Sequence, residues 1–136
     1  MELTAEIAAY RAGTGDPGRL VGEFRRAVLL VPLADDSAGG LMSAVSGGIR
    51  WLYAFTDEEA FARFVEARGE AAREWPYLAI LGARLVDAVV PEVDGPAGIA
   101  VNVADEGGSM LFPPVAGIVP DGCAVDLRAV GDGEAA

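Results

Sequence analysis

Side chains able to do acid, base, nucleophilic or metal chemistry are sparse in this 136-residue sequence and gather in a few short stretches. Asp35-Asp36 and Thr56-Asp57-Glu58-Glu59 supply carboxylates, and Cys123 stands in Pro120-Asp121-Gly122-Cys123. The carboxylate groups together could offer oxygen ligands to a hard cation such as magnesium or calcium, but no Asp-x-Asp-x-Asp-Gly loop organises them. Thr56-Asp57-Glu58-Glu59 also has the form of a capping box. The Thr56 hydroxyl would take a free helix N–H, and Glu59 would reach back to the Thr56 N–H. Acidic first-turn residues suit a helix dipole and repel an anion, so the cap outweighs a ligand site. Cys123 has acidic neighbours and no Lys or His to favour its thiolate, which argues against reactivity.

The residue types that are missing exclude more. The sequence has no His, no Lys and no Gln, and a single Cys. Imidazole-assisted Ser and Cys nucleophiles, Schiff-base lysines, P-loop lysines and Ser-Lys dyads are therefore absent. One Cys makes neither an intramolecular disulfide, a cysteine zinc site nor an iron–sulfur cluster. Carboxylates alone remain as bases, and near their ordinary pKa they are poor bases at neutral pH. We expect no enzyme, no catalytic residues, no cofactor and no bound metal. The candidate surface for a partner or ligand is Trp51, Tyr53, Thr56, Asp57 and Asn102. Trp51 and Tyr53 share a strand face with Phe55, Thr56 and Asp57 follow at the strand-to-helix junction, and Asn102 is the only Asn. Packing into a core is the plainer reading of the aromatic face, and a satisfied structural amide that of Asn102.

The elements that must position these residues can be read from spacing. Leu3, Ile7 and Tyr10 predict a first helix ending before Gly13. Asp16-Pro17 starts a second, in which Leu20 and Phe24 share a face and Arg25-Arg26 close the last turn. Ala27 to Leu33 reads as a strand covered on both faces. Leu41 to Ser46 returns through a Gly47-Gly48 hairpin to a strand over Ile49 to Phe55. A helix beginning at Thr56 buries Phe61, Phe64 and Val65 and stops near Gly69. Tyr77 to Leu81 is a short strand, Arg84 to Val90 a helix stopped by Pro91, and Ile99 to Val103 and Met110 to Phe112 are further strands. The reading is one α+β (mixed α/β) domain over 1–130, a central mixed sheet with helices packed against it. Residues 131–136 form an acidic tail.

In that order, Val28-Leu29-Leu30-Val31-Pro32-Leu33, Trp51-Leu52-Tyr53-Ala54-Phe55-Thr56-Asp57-Glu58-Glu59-Ala60-Phe61 and Gly98-Ile99-Ala100-Val101-Asn102 resemble the N-terminal domain of the SseB (enhanced serine sensitivity protein B) family. The middle piece is the most specific, a strand ending in Phe-Thr before an acidic helix start. The resemblance covers about residues 17–113 and implies a cytosolic bacterial protein of uncertain biochemical function, with no catalytic residues to carry over. The family pattern continues Asn-Pro-Gly where this chain has Asn102-Val103-Ala104.

Charge and hydropathy narrow the partners. Ten Arg against 21 Asp plus Glu give a net charge of −11. Such a surface repels phosphate backbones and anionic headgroups, so neither nucleic acid nor membrane is expected as a partner. The longest apolar run, Ala27 to Ala34, is eight residues, far short of the roughly 20 that span a bilayer. The opening Met1-Glu2-Leu3-Thr4 has no basic and apolar leader pattern, and the expected location is cytoplasmic. With 52% hydrophobic residues, the expected function is a non-catalytic protein-interaction or regulatory module. Its partner would be another protein or a second copy. The alternative is a small-molecule binder or carboxylate-based enzyme with a pocket at the sheet edge.

Overall fold

The computed structural model describes residues 2–34, 40–70 and 75–127. Helix α1 (Glu2–Arg11) buries Leu3 and Ile7 one turn apart, while Tyr10 stays exposed. Asp16 caps α2 (Pro17–Arg26), its carboxylate accepting from the Gly18 and Arg19 N–H groups at 2.8 and 3.3 Å. Pro17 sits at the first helical position, where its missing N–H costs nothing. Leu20 and Phe24 face inward, as their spacing requires.

The strands are β1 (Val28–Pro32), β2 (Ser43–Ser46), β3 (Ile49–Ala54), β4 (Tyr77–Leu81), β5 (Ala97–Val101) and β6 (Met110–Phe112). A ribbon pairs β1 with β4, and a second sheet runs β2-β3-β5-β6. Gly47 (φ 62) and Gly48 (φ 79) turn β2 back on β3, the conformation that a tight primed hairpin demands. Strands β3 and β5 are parallel, with Trp51 opposite Gly98 and Tyr53 opposite Ala100, and helical crossover chain lies between them. Backbone bonds join the two sheets, among them Met42 N–H to the Pro32 carbonyl at 2.9 Å. Leu30 and Phe55 exchange backbone hydrogen bonds, both 2.8 Å, on the side of β1 away from β4. The sheet therefore continues from β4 through β1 to β3, β5 and β6, with β2 beside β1 on the same side of β3, and β4, β2 and β6 are its edge strands.

Alternation along the strands gives the sheet two packed faces. Leu29, Val31, Leu52, Ala54, Ile99, Val101 and Phe112 lie in one core with Leu3, Ile7, Leu20 and Phe24 of the N-terminal helices. Leu85, Val86 and Val90 of the later helical segment join them, and the Phe24 and Phe112 rings stack at 4.4 Å. On the opposite face, α3 (Glu58–Ala67) lays Phe61, Phe64 and Val65 over Phe55, Leu30 and Tyr53. This is the expected α+β architecture, a mixed sheet with helices against it. No helix among the described residues is long and apolar enough to cross a membrane.

Several boundaries differ from the sequence reading. The strand expected over Ile99 to Val103 runs Ala97–Val101, because Asn102 turns out of the strand at φ 54. The helix expected over Arg84 to Val90 is three short joined pieces, α4 (Gly82–Arg84), a π-turn (Leu85–Val89) and a 3₁₀ turn (Val90–Glu92). The π-turn makes Leu85 and Val86, rather than Leu85 and Val89, the fully buried pair. Strand β1 is not covered throughout, since Val28 is 53% exposed at its outer end. Asp35-Asp36 and the acidic tail 131–136 lie outside the described residues.

Arg25 at the end of α2 holds Asp87 in the π-turn through bonds of 3.2 and 2.6 Å. That hydrogen bond, aided by the guanidinium charge, lowers the Asp87 carboxyl below its ordinary pKa and raises that of Arg25. A depressed carboxyl stabilises the fold above its unfolded pKa and loses that contribution as pH falls through the folded value. Both partners are largely exposed, so the pair is worth no more than about 1 kcal/mol. Asp87→Asn should lower the thermal midpoint slightly at neutral pH. The difference from wild type should close once the pH is below the ordinary aspartate range, as unfolding scans across pH would show.

Candidate functional site

Where β3 and β5 end side by side, an open α/β sheet commonly offers a ligand crevice. Here that place holds Thr56 and Asn102, the two buried polar residues among those described, 7% and 2% exposed. The Thr56 N–H donates to Asn102 Oδ1 at 3.0 Å, and Asn102 Nδ2 donates back to Thr56 Oγ1 at 3.0 Å. Because a backbone N–H can only donate, it fixes which way the Asn102 amide points. The Thr56 hydroxyl has Asp57 Oδ2 within 3.3 Å. The backbone completes the joint, the Asn102 N–H donating to the Ala54 carbonyl at 2.9 Å. No buried side-chain polar atom is left without a partner among the described residues.

Thr56 is therefore not the helix cap. Asp57 is the N-cap of α3, its Oδ1 accepting from the Ala60 N–H at 2.8 Å. The Thr56 N–H that Glu59 would satisfy in a capping box is taken by Asn102 instead. Thr56-Asp57-Glu58-Glu59 fits a cap at either of its first two residues, since both types cap well. The choice was made by a residue 46 positions away.

Trp51 and Tyr53 are half-buried on the α3 face of β3. The Trp51 ring lies against Gly98 of β5, where an added Cβ would come within 2.8 Å of its Cζ3. The Tyr53 ring meets Phe64 edge-on at 5.5 Å between centroids. Thr56, Asp57 and Asn102 come together in one cluster, while Trp51 and Tyr53 sit further back along the strand. Cys123 is half-buried in a 3₁₀ turn (Asp121–Cys123). Among the described residues, no three carboxylates or thiols converge on a point that could hold a cation.

Two shallow grooves flank the sheet. One, about 410 Å³, lies at the β6 edge beside Arg11, Val103, Ala104 and Leu111. Its Arg11 guanidinium already donates to the Ser109 and Glu106 carbonyls at 2.9 and 2.8 Å. The other, about 500 Å³, runs between α3 and the start of β4, walled by Phe61, Val65, Trp75 and Tyr77 with Glu58 and Glu66 on its rim.

A surface the sequence reading passed over adjoins this second groove. Tyr77, Leu78 and Leu81 of β4 are 41%, 49% and 47% exposed, and Val28 on β1 stands beside Leu81. The signal was present as Trp75 to Ala83, nine residues without a charge in a strongly acidic chain. Comparison with protein-family models, curated proteins and solved structures finds no match to this chain.

Removing the Asn102 amide leaves the buried Thr56 N–H and hydroxyl short of partners, so Asn102→Ala should cost about 1–3 kcal/mol. Asp57→Ala should cost about 0.5–2 kcal/mol as a lost cap. Urea midpoints would check both, and Asn102→Gly, which keeps the positive φ free, isolates the amide contribution. Ala104 also has a positive φ of 77. That conformation costs an L-residue roughly 1–2 kcal/mol, against roughly 0.5–1 for the extra unfolded-state freedom of Gly. Ala104→Gly should therefore stabilise by about 0.5–1 kcal/mol in the same assay.

Proposed function

We propose that this chain is a non-catalytic protein-interaction module that works through the open edge of its sheet at β4. The carrying observation is that edge. Strand β4 pairs with β1 alone, and the ladder ends in bonds from Leu33 N–H to the Pro76 carbonyl and from Gly82 N–H to the Ala27 carbonyl. Alternation then directs the N–H and C=O of Tyr77 and Ala79, and the N–H of Leu81, away from β1. Among the described residues nothing bonds these groups.

Sheet edges in monomeric proteins are normally blunted by charge, proline, shortness or cover. The β6 edge has such protection. It is three residues long, Pro113-Pro114 follows it, and Arg11 ties down the loop before it. The β4 edge has five residues, all apolar, with only Pro76 at its threshold. A strand so placed suits pairing with another chain.

The resemblance to the SseB family supports a related reading, a cytoplasmic protein that acts without catalysis. Asn102 and Ala104, in left-handed backbone, stand where that family's pattern has Asn and Gly, the residues that tolerate it best. A small ligand in the groove by Arg11 is the weaker reading, because that guanidinium is already committed to backbone carbonyls.

Hydrogen exchange tests the proposal. In dilute pure protein the amides of Tyr77, Ala79 and Leu81 should exchange much faster than those of Leu78 and Ile80, which face β1. Isotope-labelled protein in native extract should show the first three slowed. Extract that protects other surfaces and leaves these amides fast would overturn the reading.

A further inference from the structure

We propose that the β4 edge receives β4 of a second copy, antiparallel about a two-fold axis at Ala79, so that two sheets become one. This rests on the edge reading and names its occupant. The outward backbone groups belong to Tyr77, Ala79 and Leu81, a set symmetric about Ala79. An antiparallel copy centred there sets Tyr77 against Leu81 of its mate at both ends, and Ala79 against Ala79 on the axis. The Ala79 pair can exchange two N–H···O bonds and each Leu81 N–H can donate to the Tyr77 carbonyl of the mate, the closely spaced pattern of an antiparallel ladder.

The side chains agree with that register. On the face shared with Val28 and Leu30, each Tyr77 ring would lie across from a Leu81, both now exposed. The smallest side chain, Ala79, falls on the axis, where identical groups meet and a bulky residue would collide with itself. On the other face Leu78 would oppose Ile80. Cross-strand aromatic–aliphatic and aliphatic pairs of this kind are the stabilising units of a sheet.

Charge leaves this strand open to a second copy. A two-fold contact brings each surface patch against its own image, so like charges meet wherever the patch is charged. A chain with net charge −11 repels its copy over most of its surface. Trp75 to Ala83 has no charge and includes the whole of β4. Here a copy meets no charge on β4 itself, and the exposed apolar side chains of both leave water together.

Sedimentation equilibrium of the full chain from micromolar to several hundred micromolar reads the outcome. The mass should rise from 14.0 kDa toward twice that value. Ala79→Pro removes an outward N–H at the axis and leaves the β1 ladder intact, so it should weaken association roughly tenfold or more. Leu78→Glu places carboxylates on both sides of the seam and should give a monomer with an unchanged far-ultraviolet spectrum. If one variant fails to fold, the other decides. A wild type that stays at 14.0 kDa throughout, or a dimer that neither variant weakens, overturns the proposal. A monomer whose edge amides are nevertheless slowed in extract would refute self-pairing and leave the interaction reading standing.

Discussion

One buried amide organises this fold. Asn102 joins the ends of two parallel strands whose other neighbours are apolar, and it does so by holding both the N–H and the hydroxyl of Thr56. A side-chain amide in a low-dielectric site is costly unless its partners are complete, so the pairing accepts few alternatives. Sliding β5 along β3 by one residue would strand these groups and reverse every side chain on the strand. The chain after Thr56 then leaves the sheet in a set direction, and Asp57 is placed to cap α3. The left-handed turn at Asn102 follows from the same demand, since the residue must end the strand while its side chain stays inside.

From that joint outward, the α3 face depends on aromatic packing. Phe55, directly before Thr56, stacks on Phe61 at 5.2 Å and lies 5.1 Å from Phe64. Trp75 meets both of those rings edge-on, and Tyr77 meets Phe61. The cluster thus reaches the first residue of β4, while Phe55 also holds the bridge to Leu30. It connects the joint at Asn102 to the outer ribbon.

Much of this was legible in the residues. Leu20 with Phe24, and Phe61, Phe64 and Val65, announced helix faces by spacing alone, and Gly47-Gly48 announced the hairpin. Local signals failed where distant residues decided the outcome. Thr56 and Asp57 are equally good caps, and only contact with Asn102 separates them. Strand order is not a local property either, so nothing in Tyr77 to Leu81 says that its outer side lacks a neighbour. The π-turn at Leu85–Val89 was hidden for a related reason. Leu85 and Val89 fit an ordinary helix, yet burying Leu85, Val86 and Val90 together needs a wider turn.

The poverty of chemistry and the open edge belong to one argument. The carboxylates that dominate the charged residues are spent on caps, turns and surface ion pairs. Asp16 and Asp57 cap helices, Asp105 accepts from the Gly108 N–H and from Arg63, and Asp87 holds Arg25. These roles use them as local hydrogen-bond acceptors and ion-pair partners. Against such a background β4 is distinctive as a five-residue edge strand without charge, whose outward backbone groups nothing among the described residues bonds. In the proposed pairing, register would come from the pattern of outward N–H and C=O groups on β4.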